Sequence, residues 1–381
     1  MKIAFVITDF GSFNNFLSEV AINLSIKNEI HVITSKEKVI NIQDKYDYSK
    51  YNIHFHFVEF PRSFNLINHY KISIKIQKII HEIDPSVISI HFTSAIFTTL
   101  LRAKLPYKTI GNFHGLGYPV IENPLKKQMF KVVELFSAKR LNEIWVLNKV
   151  DYDILKKNFS NVYLIPTNGL GCDINKFNNN NFSENSKQQL RNELKINNND
   201  IVITFTGRYV NFKGFDIVIK TFREIEKEKN NIKLLLMGGY DKIHPSGLSQ
   251  EEQTYVETNP NIINVGFTNE VAKYLSITDI FFFPSKKEGV PICIVEALSM
   301  GIPVITFDSR GCNDLVINNF NGVLLDNHSR IIDFKNVFIT LLKNDNQLTN
   351  FRKNILMNRR KLSRENFINQ QIEYFDNITK S

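Results

Sequence analysis

The chain has 381 residues, 43% of them hydrophobic, with 47 Lys and Arg against 38 Asp and Glu for a net charge of +9. That length and ordinary globular composition point to two domains, each large enough to bury a core. The basic balance favours anionic partners such as nucleotides, nucleic acid or an anionic membrane face, and no apolar run approaches the roughly 20 residues that span a bilayer. The three cysteines, Cys172, Cys293 and Cys312, are odd in number and lack metal-ligand spacing, which fits a reducing, cytoplasmic compartment.

Short β-branched runs alternate with longer amphipathic stretches. The first half predicts strands at Ile3–Thr8, Ile30–Thr34, Ile53–Glu59, Val87–His91, Thr109–Phe113, Ile144–Leu147 and Val162–Ile165. The apolar run after Lys2 is interrupted by Asp9 and reads as a first strand, not a secretion signal. Pro166 to Gly171 breaks the pattern, and a polar, Asn-rich stretch runs from Asn178 to Asn199. The second half predicts strands at Ile201–Thr206, Ile232–Met237, Ile262–Val265, Ile280–Phe283, Val304–Phe307 and Val323–Leu325, and the tail from Asn350 to Ser381 reads as helix. Two such series argue for two parallel, doubly wound α/β domains. The junction is expected near Pro166 to Lys176, with an N-terminal domain of residues 1–167, a C-terminal domain of 168–356 and a tail of 357–381. Ligands of open parallel sheets bind at the carboxyl ends of the strands.

The densest chemistry lies in Phe281-Phe-Phe-Pro-Ser-Lys-Lys-Glu288-Gly-Val-Pro-Ile-Cys-Ile-Val-Glu296. Two carboxylates, eight positions apart, flank a strand-to-helix turn. Carboxylates only accept hydrogen bonds and suit adjacent sugar hydroxyls. Gly289 lets the backbone approach a ligand, and the helix beginning near Pro291 points N–H groups at an anion. Glu296 sits among apolar residues on nearly every side, and a buried carboxylate needs a partner. The plain alternative is a surface loop before a half-buried helix.

Thr206-Gly207-Arg208-Tyr-Val-Asn-Phe-Lys213-Gly214 follows the first strand of the second half. Gly207 permits a tight turn, and Arg208 and Lys213 bring two cations to a strand end where a diphosphate could sit. An exposed basic loop is the alternative. Asn112-Phe-His114-Gly puts a histidine at a strand end, equally readable as a turn residue. Asp151-Tyr-Asp153 could be a metal pair but sits where a helix-capping Asp is favoured. His54 and His56 share one strand face without a third ligand in sight. Lys126, Lys127, Lys131, Lys139 and Arg140 interleave with apolar residues, as do Lys71, Lys75 and Lys78. These are basic amphipathic stretches, either solvated helix faces or contacts for anionic lipid heads.

The two-glutamate segment resembles the donor-site signature of retaining glycosyltransferases of the GT-B fold, the group 1 or family 4 type. Pro303 to Val316 and Asn321-Gly322 are similar to it too, with Cys312 and Asp314 where the family has Gly and Glu. The resemblance implies two Rossmann-like domains facing a cleft, with the last helix crossing back to the first domain. It implies that Glu288 contacts the transferred sugar and Glu296 the nucleotide ribose. Arg208 and Lys213 would hold the donor diphosphate, and His114 would touch the donor sugar. Gly11, Gly207, Gly238, Gly289, Val290 and Pro291 would complete the donor pocket. Of the family's first glycine-rich loop, only Gly11 is present.

The reading is thus a metal-independent hexosyltransferase without a cofactor. It takes a nucleoside diphosphate sugar, a UDP-sugar foremost, and a glycan or lipid-linked acceptor in surface polysaccharide assembly. It is expected in the cytoplasm, peripheral on the membrane face. An epimerase on the same fold and a non-catalytic partner subunit are the alternatives. A nucleic-acid binder is suggested by charge alone and lacks any nucleic-acid motif.

Overall fold

The computed structural model describes residues 1–36, 46–61, 63–166 and 169–378. It divides into two compact units, Met1–Pro166 with Phe367–Ser381, and Thr167–Asn366. The expected boundary at 167/168 lies outside the described residues.

The first unit holds a parallel sheet of strands β1 (Lys2–Val6), β2 (Glu29–Thr34), β3 (Ile53–Phe57), β4 (Val87–His91), β5 (Lys108–Phe113), β6 (Glu143–Val146) and β7 (Val162–Leu164), in the order β3-β2-β1-β4-β5-β6-β7. The second holds β8 (Ile201–Tyr209), β9 (Ile232–Tyr240), β10 (Ile262–Gly266), β11 (Ile280–Phe282), β12 (Val304–Phe307) and β13 (Gly322–Leu325), in the order β10-β9-β8-β11-β12-β13. Helices cover the faces, so central strands such as β4 and β11 are buried along their whole length. That is why they read as unbroken apolar runs. In the first unit Ala4, Val6, Ile33, Ile88 and Ile90 pack with Ile76, Ile80 and Ile83 of the helix Leu66–Ile83. In the second, Phe282 meets Phe334 and Phe338 edge-on or tilted at about 5 Å between ring centroids. Each such buried ring contributes roughly 1.5–3 kcal/mol.

In each sheet the strand order reverses beside the first strand of the unit, between β1 and β4 and between β8 and β11. Crossovers leave to opposite faces there, and a crevice opens at the strand carboxyl ends.

All thirteen expected strands are present, and β8 and β9 run on past their expected ends. Gly207, expected in a turn, instead pairs with Gly238 inside the ladder. The pairing requires glycine: a Cβ on Gly238 would lie 1.9 Å from the Gly207 carbonyl oxygen, and both have positive φ.

The expected continuous tail helix is broken. Helix Asp345–Asn358 is followed by a 3₁₀ turn, Arg359–Leu362, and by helix Arg364–Ile378. Ser363 bridges Cys172, and Arg359 donates to carbonyls of Ser299, Ile174 and Phe177. These contacts keep the chain in the second unit up to residue 366, later than the expected tail start at 357. Beyond it the last helix packs on the first sheet. Tyr374 donates to Glu143 Oε2 and stands edge-on to Trp145, and Phe375 is buried against Phe5.

Candidate active site

The loops after β8 and β11 flank the crevice of the second sheet, and they are drawn together at one glycine. A Cβ on Gly214 would lie 2.1 Å from the Pro284 carbonyl oxygen. Lys286 N donates to Phe212 O at 3.1 Å, tying the loops again. This brings Lys213 to Glu288, 75 positions apart in sequence. Lys213 Nζ donates to Glu288 Oε1 at 2.5 Å, and Ser285 Oγ donates to the same oxygen at 2.7 Å. Glu288 is 8% exposed, so the ammonium offsets a charge that would otherwise be costly to bury. Among the described residues, the bonds to the Glu288 carboxylate both go to Oε1. Arg310 Nε donates to the Glu288 carbonyl at 2.9 Å, and a Cβ on Gly311 would meet the Gly289 carbonyl at 2.2 Å. Asp314, standing where the family has Glu, accepts from Gly311 N at 3.2 Å. Val290 packs where a Cβ on Gly169 would fall, and Pro291 is the N-cap of helix Ile292–Ser299.

Glu296 lies on that helix, partly buried beneath the loop. Among the described residues, none donates a hydrogen bond to its carboxylate. Burial pushes its pKa up to about 7, opposed only by the charge of Lys176. A carboxylate in a desolvated place can accept from the hydroxyl groups of a ligand.

Arg208 is placed apart from the Lys213–Glu288 pair. It lies within β8, half exposed, and donates to Asp241 Oδ2 at 2.7 Å beyond the end of β9. The backbone N–H of Ile243, then Arg208 and the N–H of His244, hold Asp241 well below the usual carboxylate range. Each of the two cations is thus paired with a carboxylate that the sequence did not connect to it. Gly238 shapes the ends of β8 and β9, as above.

In the first unit, Asp9 caps the helix Phe10–Phe16, and Gly11 is buried in its first turn after β1. His114 follows β5. A relay runs to it through the interior: Asn112 Nδ2 donates to Ser89 Oγ at 2.9 Å, Ser89 Oγ meets His91 Nε2 at 2.9 Å, and His91 Nδ1 meets His114 Nε2 at 3.1 Å. Burial, with the neighbouring His114, pushes His91 well below its ordinary pKa and keeps it neutral. The amide nitrogen can only donate to Ser89, and the direction of the two histidine bonds follows the tautomers of His91 and His114. Phe92, at φ +70, lies 4.2 Å from the His114 ring between centroids. A bulky residue at positive φ stores roughly 1–3 kcal/mol of strain at this switch point.

Two buried carboxylates hold the loop after His114. Glu134 accepts from Gly117 N, Tyr118 N and Thr93 Oγ1, and Asp151 accepts from Leu116 N and Asn148 Nδ2. The capping Asp expected here is corrected: Asn148 is the N-cap of this helix, and Asp151 lies in its first turn. His54 and His56 gain a neighbour in His31 on β2, bonded to His56 at 3.0 Å and to Glu29 at 2.9 Å. Among the described residues, no group of three or more His, Cys, Asp or Glu is arranged to hold a metal ion.

The domains match known families. Residues 2–148 match the model for glycosyl transferase 4-like domains, and residues 186–356 that for glycosyl transferases group 1. A capsular polysaccharide biosynthesis glycosyltransferase of Staphylococcus aureus, CapM, is 29% identical over 47% of this chain and 45% of its own length. An Escherichia coli UDP-Gal:α-D-GlcNAc-diphosphoundecaprenol α-1,3-galactosyltransferase is 25% identical over 70% of this chain and 68% of its own. The structure of Anabaena HepE in complex with UDP superposes with a TM-score of 0.75 at 17% identity, covering 99% of this chain and 100% of that one. With both sheets and both domain models in sequence order, the chain belongs to the GT-B glycosyltransferases, built from a 4-like domain followed by a group 1 domain.

Proposed function

We propose that this glycosyltransferase moves a sugar from a nucleoside diphosphate sugar, a UDP-sugar foremost, to a hydroxyl acceptor with retained anomeric configuration. The observation that carries this is the arrangement at the second sheet's switch point. Among the described residues no donor bonds the Glu296 carboxylate, and Lys213 holds Glu288 through Oε1. Glu296 would accept from the ribose hydroxyls, and Glu288 Oε2 from the sugar. Lys213 and Arg208 would neutralise charge on the diphosphate as it leaves, so the reading needs no metal. The bond from the anomeric carbon to the phosphate oxygen breaks, and one to the acceptor oxygen forms on the same face. The acceptor proton goes to the departing phosphate oxygen. A release assay over a panel of nucleotide sugars tests this: slow hydrolysis of one donor, unchanged by EDTA, supports it, while no release or strict dependence on added divalent metal contradicts it.

His114 would act on the sugar side. His114→Ala should slow transfer while leaving UDP affinity and melting temperature near wild type. Wild-type transfer by the variant would return His114 to a turn residue.

The sequence relatives suggest surface polysaccharide or lipid-linked acceptors, which are met at a membrane surface. Among the described residues no helix is long and apolar enough to cross a membrane. Helices Leu66–Ile83 and Pro124–Lys139 both pack on helix Thr93–Leu100. Between them they expose Leu66, Ile67, Leu125 and Val132 beside Lys71, Lys75, Lys126, Lys127 and Lys131. Arg140, expected in this basic set, is spent on the carbonyls of Leu100 and Leu101 and stacks on Phe136. Each cation near an anionic surface contributes about 1 kcal/mol. Anionic vesicles should therefore sediment the protein, weakly at high salt and weakly for the double variant Lys126→Glu, Lys127→Glu. Equal partitioning onto neutral vesicles would contradict this.

A further inference from the structure

Glu134, on helix Pro124–Lys139, is 0% exposed, and the chemistry proposed above makes no use of it. Its carboxylate takes three hydrogen bonds from two places in the fold. Oε1 accepts from Thr93 Oγ1 and from Gly117 N, both at 2.8 Å, and Oε2 accepts from Tyr118 N at 3.1 Å. All three donors are neutral, and among the described residues no Lys or Arg forms an ion pair with it. Burial pushes its pKa up, against the pull of these donors. A buried carboxylate without a cation is costly where packing alone is at stake. What distinguishes this one is the position of its donors. Thr93 follows Phe92, the residue at φ +70 whose ring lies 4.2 Å from that of His114. Gly117 and Tyr118 close the turn that begins at His114 and passes through Gly115 at φ +145. One carboxylate thus joins the loop after β4 to the loop after β5, and His114 belongs to the second and packs on the first.

We propose that Glu134 is a positioning residue, which fixes the His114 imidazole by clamping the two loops beside it. The proposal rests on the reading that His114 acts on the sugar side. Strain such as that at Phe92 persists only where the surroundings over-determine it, and the Thr93 bond to Glu134 ties down the next residue. A carboxylate suits the task because it only accepts, and each of its oxygens faces a backbone N–H. A glutamine of the same size does not fit. Whichever way its amide turns, the NH₂ group meets the N–H of Gly117 or of Tyr118, and the loop must give. A misplacement of about 1 Å at a reacting group costs on the order of 10²-fold in rate.

The test compares Glu134→Gln and Thr93→Val, the latter keeping size and removing one donor, each alone and combined with His114→Ala, in the full chain. Glu134→Gln should slow transfer about tenfold or more, and Thr93→Val should do so by less, with UDP affinity unchanged in both. In the His114→Ala background Glu134→Gln should cost less than about twofold further, because the group it positions is gone. A residue that only supports the fold would cost the same in both backgrounds. The ring itself is followed by NMR of the ¹³C-histidine-labelled protein, where the His114 signal is the one lost in His114→Ala. It should move in Glu134→Gln and in Thr93→Val, while the signal of His54 on β3 stays in place. Wild-type transfer by Glu134→Gln, equal losses in the two backgrounds, or an unmoved His114 signal would overturn the proposal. If Glu134→Gln does not fold, Thr93→Val carries the same comparisons. If His114→Ala transfers like wild type, the reading of His114 fails, and the His114 signal still decides whether Glu134 sets the ring.

Discussion

Lys213→Ala should slow transfer on the order of 10²-fold or more and should also destabilise the protein. The rate loss follows from charge building on the diphosphate as the sugar leaves, so the ammonium's attraction is greatest in the transition state. The stability loss comes from Glu288, which is mostly buried and is left with Ser285 as its one side-chain donor among the described residues. Breaking a fully buried pair costs about 3–5 kcal/mol; this pair is partly exposed, and about 1–3 kcal/mol is expected. The double variant Lys213→Ala, Glu288→Gln separates the two effects, since it should regain most of the stability and none of the rate. Arg208→Ala should lose a similar rate with little loss of stability. Arg208 is half exposed, and Asp241 keeps its backbone donors from Ile243 and His244. Melting curves and single-turnover rates on the three variants check this, and a Lys213→Ala protein as fast as wild type would remove Lys213 from the chemistry.

Glu296→Gln should stabilise the free protein and weaken its hold on donor, opposite effects from one atom. The native carboxyl has a pKa raised to about 7, so the fold favours its protonated form. Its contribution to stability is fully present below the unfolded value near 4.5 and is lost as pH rises through about 7. At pH 8 the wild type bears that loss and the glutamine variant does not. The gap should be about 1–3 kcal/mol, a rise in melting temperature of roughly 2 °C or more, vanishing near pH 4. Donor affinity runs the other way. The ionised carboxylate is the form proposed to accept from ribose, so wild-type affinity for a UDP-sugar should fall about tenfold between pH 8 and pH 6. The phosphates of an intact sugar nucleotide do not titrate in that range, and the glutamine variant should show a flat profile.

Much of this was legible in sequence, and what was not has particular causes. The strands were legible because parallel strands covered on both faces are continuous β-branched or aromatic runs, as in Val87–His91 and Ile280–Phe282. The ends of β8 and β9 were not. Gly207 and Gly238 signal turns locally, and only their pairing across the ladder shows that they are there to let two backbones close up. The break at Arg359–Ser363 was hidden because it depends on Cys172 and Phe177, nearly two hundred positions away. The two glutamates and the two cations were singled out by spacing and residue type, but their partners were not. Ser285 sits three positions before Glu288 and could have been suspected. Lys213 reaches Glu288 only because β8 and β11 are neighbours, and nothing local links Arg208 to Asp241. Glu134 went unremarked and Asp151 read as a helix cap, and their burial beneath the His114 loop follows from the order of β4, β5 and β6.

The central claim is that Glu296 waits for a nucleotide's ribose, and one calorimetric comparison tests it most directly: UDP titrated into wild type and Glu296→Gln at pH 8, where the native carboxylate is ionised. Losing a charged hydrogen bond of about 1.5–3 kcal/mol predicts roughly 10- to 150-fold weaker binding by a variant that melts no lower than wild type. Equal UDP affinity in the two proteins would contradict the account.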